Sequence, residues 1–316
     1  MGEGWTGAGL PPGAAARVAG SRGSGSGSGT WSSALSAGEF AALRTVEFAP
    51  VGLVMGSAVH HVGRVGRYWG YHDCLCRDSS RRARWGRTTV ALSGRGAPSA
   101  ELVGVLTRAR ESALERMRTE CSALGGDGVV AARLTVGPFA TQPDCLEFRV
   151  IGTAVRAAGA VRPPRPFTCH LDGTGFAKLV TAGWVPVELL YGMSVGVLHD
   201  DIFVRAETDT WDNTEVRGWT ELVRDVRADA RAHFGKQAEG RGGDGVILSA
   251  TDLRVWAEPC IWGNDAKDHL AEATLVGTTV ARFTARARAP RTLTVMPLGT
   301  ERRRPAAGRT GSDDLR

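Results

Sequence analysis

The chain has 316 residues, of which 42% are hydrophobic, so it is long and apolar enough for two packed domains of ordinary size. No apolar run approaches the ~20 residues that a membrane-spanning helix needs, and the N-terminus lacks the basic start and apolar run of a signal peptide. These absences predict a cytoplasmic protein with no membrane partner. The net charge is +6, but only three of the 39 basic residues are lysine. This arginine bias is typical of GC-rich genomes, so arginine abundance alone does not indicate nucleic-acid binding.

Residues 1–33 are rich in glycine and serine and predict a disordered tail. A first domain follows over 34–158. Within it we expect a strand over Arg44–Phe48 and an extended segment over Pro50–Val59. The six cysteines of the chain show no even spacing and no Cys-x-x-Cys pair, which favours free thiols in a reducing compartment.

An insertion over 64–99 carries most of the chemistry of this domain. It contains eight arginines and two aspartates, interleaved with four aromatic residues: Tyr68, Trp69, Tyr71 and Trp85. Cations among stacking rings are how proteins hold single-stranded nucleic acid. The alternative is a solvated loop in an arginine-biased proteome, and we favour it because no recognised nucleic-acid motif accompanies the charge.

The same insertion holds the best metal-ligand pattern in the chain, His72, Cys74 and Cys76, with His60 and His61 upstream. Thiolates and imidazoles are the ligands that Zn²⁺ and Cu⁺ prefer. Structural zinc sites usually have two to four residues between their cysteines, whereas only Leu75 separates Cys74 from Cys76. Incidental thiols in a mobile loop are therefore the favoured alternative.

A long amphipathic helix is predicted from Leu102 to Leu124, because apolar residues recur every three or four positions. Gly125 and Gly126 should end this helix, since glycine adopts the left-handed cap conformation without strain. Two strands should follow, over Val129–Leu134 and Leu146–Val150. Asp127, in the turn between the helix and the first of these strands, and Asp244 in the equivalent later turn are expected to bond the backbone of their own turn.

The pattern then recurs after a linker over 159–169, in a second domain over 170–285. Four residues return after 136 positions: Phe40, Leu43, Pro50 and Gly56 as Phe176, Leu179, Pro186 and Gly192. The Gly-Asp-Gly turn returns after 117 positions at 243–245, and Gly152 returns after 125 at Gly277. A fixed period with insertions confined to loops predicts an internal duplication. We expect residues 286–316 to form a basic, largely disordered tail, in which 292–296 could add one strand.

Two motifs suggest enzymes, and both fail on context. Gly240–Gly245 matches the dinucleotide fingerprint, but a helix precedes it and a strand follows, the reverse of what that motif requires. Ser194 stands in a Gly-x-Ser-x-Gly pattern, but a nucleophile elbow needs a helix directly after the serine. Here Val197–Leu198 and then Ile202–Val204 read as strand. We therefore expect no enzyme. His233 and Cys121 are interpreted as core-edge and core residues.

The stretches Arg110–Ala132 and Phe148–Val155 resemble the YbjQ family (UPF0145), often labelled heavy-metal-binding. The second half resembles it more distantly. The resemblance implies an α+β fold of two dodecin-like, YbjQ-like domains. Each would pack one long helix on a small curved, mainly antiparallel sheet. It also implies ring-shaped homo-oligomers, and it assigns no established activity.

The function expected from these features is a non-enzymatic, oligomer-forming protein whose partner is itself. Half-open sheets carrying a single helix leave surface that a second copy would cover. The alternative is a ligand-binding module that binds Zn or Cu through the Cys/His residues, or an anionic polymer through the insertion.

Overall fold

The structure is a computed structural model that describes residues 9–22, 32–62, 90–92, 99–260, 266–283 and 295–297. The helices are α1 (Pro12–Arg22), α2 (Ala37–Thr45), α3 (Ser99–Ala123), α4 (Gly173–Thr181), α5 (Ile202–Thr208) and α6 (Arg217–Glu239). The strands are β1 (Phe48–His61), β2 (Ala91–Leu92), β3 (Gly128–Phe139), β4 (Gln142–Ala157), β5 (Phe167–Thr168), β6 (Trp184–His199), β7 (Gly245–Pro259), β8 (Lys267–Arg282) and β9 (Val295–Pro297). None of the helices in these ranges combines the length and apolarity needed to cross a bilayer.

The first half consists of α3 on a four-stranded sheet, sheet A, in the order β1-β4-β3-β5. β4 pairs antiparallel with β1 and β3, whereas β5 runs parallel to β3. The predicted apolar stripe of α3 faces this sheet, and Met117 and Phe148 meet in the core with at most 1% of their surface exposed. Full burial of such a side chain is worth about 1.5–3 kcal/mol, so packing rather than helix propensity holds α3 in place.

The second half places α6 on a five-stranded sheet, sheet B, in the order β2-β6-β8-β7-β9. β8 lies antiparallel between β6 and β7, as β4 lies between β1 and β3. The α6 stripe of Leu222, Val226, Ala230 and Phe234 is buried against it. The fold is therefore α+β, with one long helix on a mainly antiparallel sheet in each half.

The two halves share irregularities as well as strand order. Register shifts fall after Pro50 in β1 and after Pro186 in β6. Asp127 donates its amide to Val155 and accepts from the amide of Ala157 at 2.8 Å; Asp244 bonds Val280 and Arg282 in the same way. The expectation that these aspartates bond their own turn was wrong, because both bond the backbone of the adjacent strand, β4 or β8.

Side chains of the long helices also reach backbone groups of β1 and β6 at equivalent positions. The pairs are Arg116 with the Ser57 carbonyl, Glu120 with the Met55 amide, His233 with the Met193 carbonyl and Gln237 with the Tyr191 carbonyl. β1 is the edge strand of sheet A, and β2 pairs only with Gly196 and Val197 of β6, so these bonds satisfy backbone groups that have no strand partner on that side.

The halves pack tightly on each other. β5 and the residues after it connect them: Cys169 bonds Val129 on β3, while the amide of His170 bonds Thr278 on β8 at 3.2 Å. The back of β6 adds Leu189 and Met193 to the core of the first half. The segment predicted as a plain linker over 159–169 thus contributes a strand to sheet A.

Three further sequence-based expectations were wrong. Residues 1–33 were expected to be disordered, yet α1 forms over Pro12–Arg22, with Val18 only 6% exposed. The strand expected over Arg44–Phe48 is the end of α2 and a turn, with Glu47 at φ 61°. Ile202–Val204 is helical in α5 rather than extended, because Asp201 caps the amides of Phe203 and Val204 at 3.0 Å.

Candidate functional sites

The metal ligands predicted from sequence, His72, Cys74 and Cys76, lie outside the described residues, as does almost all of the 64–99 insertion. The upstream histidines are at the end of β1, where His61 stands opposite Cys145 on β4. Burial lowers the pKa of His60, and Arg116 and Arg108 lower it further. His60 is therefore a neutral side chain at physiological pH.

Ser194 lies within β6, which continues for five residues to His199, so no helix follows it directly. It is buried and bonds Asp229 on α6 at 2.6 Å. Gly240–Gly245 is the end of α6 and the turn into β7. Neither motif has the geometry of the enzyme site that it resembles.

Two thiols are locked in the core. Cys121 has none of its surface exposed and lies 3.3 Å from the Gly128 carbonyl. Burial raises the pKa of Cys121 and of Cys169 to about 12. Because the thiolate is the metal ligand and the nucleophile, neither cysteine offers one at neutral pH.

We expect Cys121 and Cys169 to resist iodoacetamide at pH 8 in the folded protein. Both should react in denaturant, where the pKa returns towards ~8.5. Half-buried Cys145 serves as the internal comparison and should react first among these three. Peptide mass spectrometry at timed quenches gives the rates. Equal rates at Cys145 and Cys121 in the native protein would contradict the burial described here.

Strand register brings together a third group of donors, which sequence reasoning missed. His199 at the end of β6 pairs with Asp268 at the start of β8, and the His199 Nδ1 lies 2.7 Å from the Asp268 Oδ1. Cys260 follows β7 directly, and its amide bonds the Ala266 carbonyl at 2.9 Å. The ligand atoms of these three residues all lie within 4.8 Å of one another. Asp268 is fully buried and Cys260 is 6% exposed.

A second candidate site is an interface, because α3 is buried along two stripes. Besides the core stripe, Arg110, Leu114 and Arg118 are 3–6% exposed. Arg110 lies over the Tyr191 ring of β6 at 3.3 Å, and Arg118 forms an ion pair with Glu188. Burial raises the pKa of the Tyr191 phenol. The charge of Arg110 lowers this pKa and the charge of Glu272 raises it, so both charged groups lie near the phenol.

The corresponding stripe of α6 has no such cover within the described part of the chain. Arg227 and Arg231, which stand 117 residues after Arg110 and Leu114, are exposed on its surface. The sheet residues equivalent to Tyr191 and Glu272 are Met55 and Glu147, both half-buried on the outer face of sheet A. The exposed stripe of α6 therefore corresponds to the helix side of the interface that joins the two halves. The outer face of sheet A corresponds to the sheet side of that interface.

Comparison with known proteins adds two findings. The YbjQ_1 family model, described as "Putative heavy-metal-binding", matches residues 91–158. The chain is also 30% identical over 262 residues to the encapsulin nanocompartment protein Rv1762c of Mycobacterium tuberculosis, an alignment that covers 80% of this chain and 86% of that protein.

The metal description does not fit the described residues of the matched segment. Its thiols are Cys121, held protonated in the core, and Cys145, and the described chain contains no group of three His, Cys, Asp or Glu ligands within 91–158. His199, Cys260 and Asp268 all lie beyond the match.

The YbjQ-like core at 91–158 and the similarity along most of both chains lead to one conclusion: the chain belongs to the family of the encapsulin nanocompartment protein Rv1762c.

Proposed function

We propose that this protein is a non-enzymatic, self-assembling component of a cytoplasmic protein nanocompartment. It is built from two fused YbjQ-like domains, over 34–158 and 170–285, that arose by duplication. The shared strand order, the register shifts after Pro50 and Pro186 and the matched aspartate turns support the duplication. The name of the family relative supports the compartment.

The exposed stripe of α6 carries the proposal. Within one chain, the second stripe of α3 packs on the back of β6. Repeating this contact between chains would pack α6 of one chain on the outer face of sheet A of the next. Such a head-to-tail interface is heterologous, so it closes into a ring when the rotation per chain divides a full turn.

The contact between chains should be weaker than the contact within one chain. The buried ion pair of Arg118 with Glu188 has no counterpart, because the equivalent residues are Gly235 and Gly52. Arg227 and Glu147 occupy the places of Arg110 and Glu272, the two charged residues beside the Tyr191 phenol, so this contact between chains would bring opposite charges near each other. Opposite charges across an interface set register and partner choice, which is what an ordered assembly needs.

Charge reversal tests this interface. We expect Arg227→Glu and Glu147→Arg each to shift the assembly towards the 33.4 kDa chain, with at least about tenfold weaker association, since like charges in contact cost over 1 kcal/mol. Combining both changes should restore assembly. Lys236→Glu makes the same charge change on another side of α6 and should leave assembly intact. Sedimentation velocity over a concentration series gives the measurement.

Circular dichroism confirms that each variant is folded before its mass is interpreted. Wild-type assembly that survives both single reversals would exclude this interface, although another surface could then be responsible. Loss of assembly in the Lys236→Glu variant as well would mean that total charge, rather than the Arg227–Glu147 contact, controls association.

A further inference from the structure

We propose that His199, Cys260 and Asp268 form a binding site for a borderline divalent cation of the Zn²⁺ class at the end of sheet B. The site lies outside the segment that matches the heavy-metal-binding family model. It is independent of the assembly interface, because it uses none of the residues of the α6 stripe.

The fold brings the three donors together from distant positions in the chain. His199 and Asp268 are a register pair of antiparallel strands, so their side chains project from the same face of sheet B. Cys260 directly follows β7, and the hydrogen bond from its backbone amide to the Ala266 carbonyl holds it beside the start of β8. A backbone framework of three strand ends therefore fixes the donors before any ligand binds, which lowers the ordering cost of binding.

The donor set is specific in its chemistry. One imidazole nitrogen, one thiolate sulfur and one carboxylate oxygen are the three ligand types that Zn²⁺ accepts, at about 2.0–2.3 Å. Ligands of a tetrahedral ion at these lengths are separated by roughly 3.5 Å. The donors here lie within 4.8 Å of one another, so small side-chain rotations would bring them into range. Three protein ligands leave the fourth position to water or to a ligand from outside.

The surroundings favour a cation. Asp200, next to His199 in the chain, has its carboxylate 4.0 Å from His269 Nε2 and 3.5 Å from Arg205 Nε. A bound cation would also place a positive charge beside the fully buried Asp268 carboxylate, which already bonds His199 Nδ1 at 2.7 Å.

The same three residues could instead be read as a nucleophilic thiol with a histidine base and an orienting carboxylate. That chemistry needs a thiol that a substrate carbon can approach. Cys260 is 6% exposed, which suits a ligand to a small ion better than a nucleophile.

Zn²⁺ titration of the full-length protein, in competition with a chromophoric chelator, measures affinity and stoichiometry. We expect the wild type to bind an ion that Cys260→Ser and His199→Gln each weaken by more than about a hundredfold, because even outer-shell partners are worth 10–100-fold. Cys145→Ser is the matched thiol control. A Cys74→Ser, Cys76→Ser variant removes any contribution of the insertion. Thermal melts without metal establish that every variant is folded.

Co²⁺ provides a second measurement that does not depend on affinity, because a thiolate ligand gives a sulfur-to-cobalt charge-transfer band in the near ultraviolet. The band should persist in Cys145→Ser and in the Cys74→Ser, Cys76→Ser variant and disappear in Cys260→Ser. Zn²⁺ should also slow alkylation of Cys260. Equal Zn²⁺ binding by wild type and Cys260→Ser, or no binding by wild type, overturns the site. Rapid alkylation of Cys260 that Zn²⁺ does not slow assigns a reactive thiol instead.

Discussion

Substitution of Gly56 by alanine is expected to destabilise the first half by about 4 kcal/mol or more, or to prevent its folding. A Cβ at Gly56 would lie 1.8 Å from the Ala113 carbonyl oxygen and 2.7 Å from the Met117 amide nitrogen. Both atoms are helix backbone, so no side-chain rotation can relieve the clash. The helix would have to move away from β1, and the contacts of its apolar stripe would be lost.

Urea unfolding followed by circular dichroism measures this effect. Gly137→Ala is the matched control, since a Cβ there meets nothing within 4 Å and should change stability by no more than about 0.5 kcal/mol. Gly192→Ala should act like Gly56→Ala in the second half, because its Cβ would lie 2.6 Å from the Ala230 carbonyl oxygen. A Gly56→Ala protein as stable as Gly137→Ala would disprove the close approach of α3 to β1.

Substitution of Glu188 by glutamine should cost about 3 kcal/mol, because it leaves the buried Arg118 guanidinium without its main counter-charge. Arg118 is 5% exposed. Its remaining acidic neighbour is Glu115, whose carboxylate lies 3.5 Å from the guanidinium and is largely exposed to solvent. Arg118→Met should cost less, since Glu188 keeps Arg241 at 3.1 Å. This pair joins α3 to β6, so its loss loosens the packing between the halves.

A double-mutant cycle isolates the interaction. The Arg118→Met, Glu188→Gln protein should be more stable than the sum of the single losses predicts. Asp225→Asn removes an exposed partner of Arg224 and should change stability by less than about 0.5 kcal/mol. Additive losses for Arg118 and Glu188 would mean that the ion pair has no net role.

Local patterns in the sequence predicted the long elements well, for identifiable reasons. The stripe from Leu106 to Cys121 has helical spacing and is buried as expected. The Gly-Asp-Gly turns lie between helix and strand where the pattern placed them, although their aspartates bond the adjacent strand rather than the turn itself. The α5 helix was missed because its three apolar residues look like a strand, and the Asp201 cap that decides the outcome was not recognised.

The candidate sites were less predictable, because both depend on contacts between distant residues. Cys260 has no useful spacing to any other cysteine, and only the β6–β8 register together with the end of β7 places it beside His199 and Asp268. Likewise, Arg110 reads as a solvent-facing residue of an amphipathic helix. It is buried because the second half of the chain covers it. The spacing of apolar residues within one helix shows which face packs on its own sheet, but it does not show whether another part of the chain covers the opposite face.

The mass of the native particle tests the central claim most directly, namely that the interface joining the two halves is repeated between chains through α6 and sheet A. Light scattering coupled to size-exclusion chromatography at micromolar concentration should give a discrete integral multiple of 33.4 kDa. A monomer of 33.4 kDa that persists across the concentration range would contradict the claim.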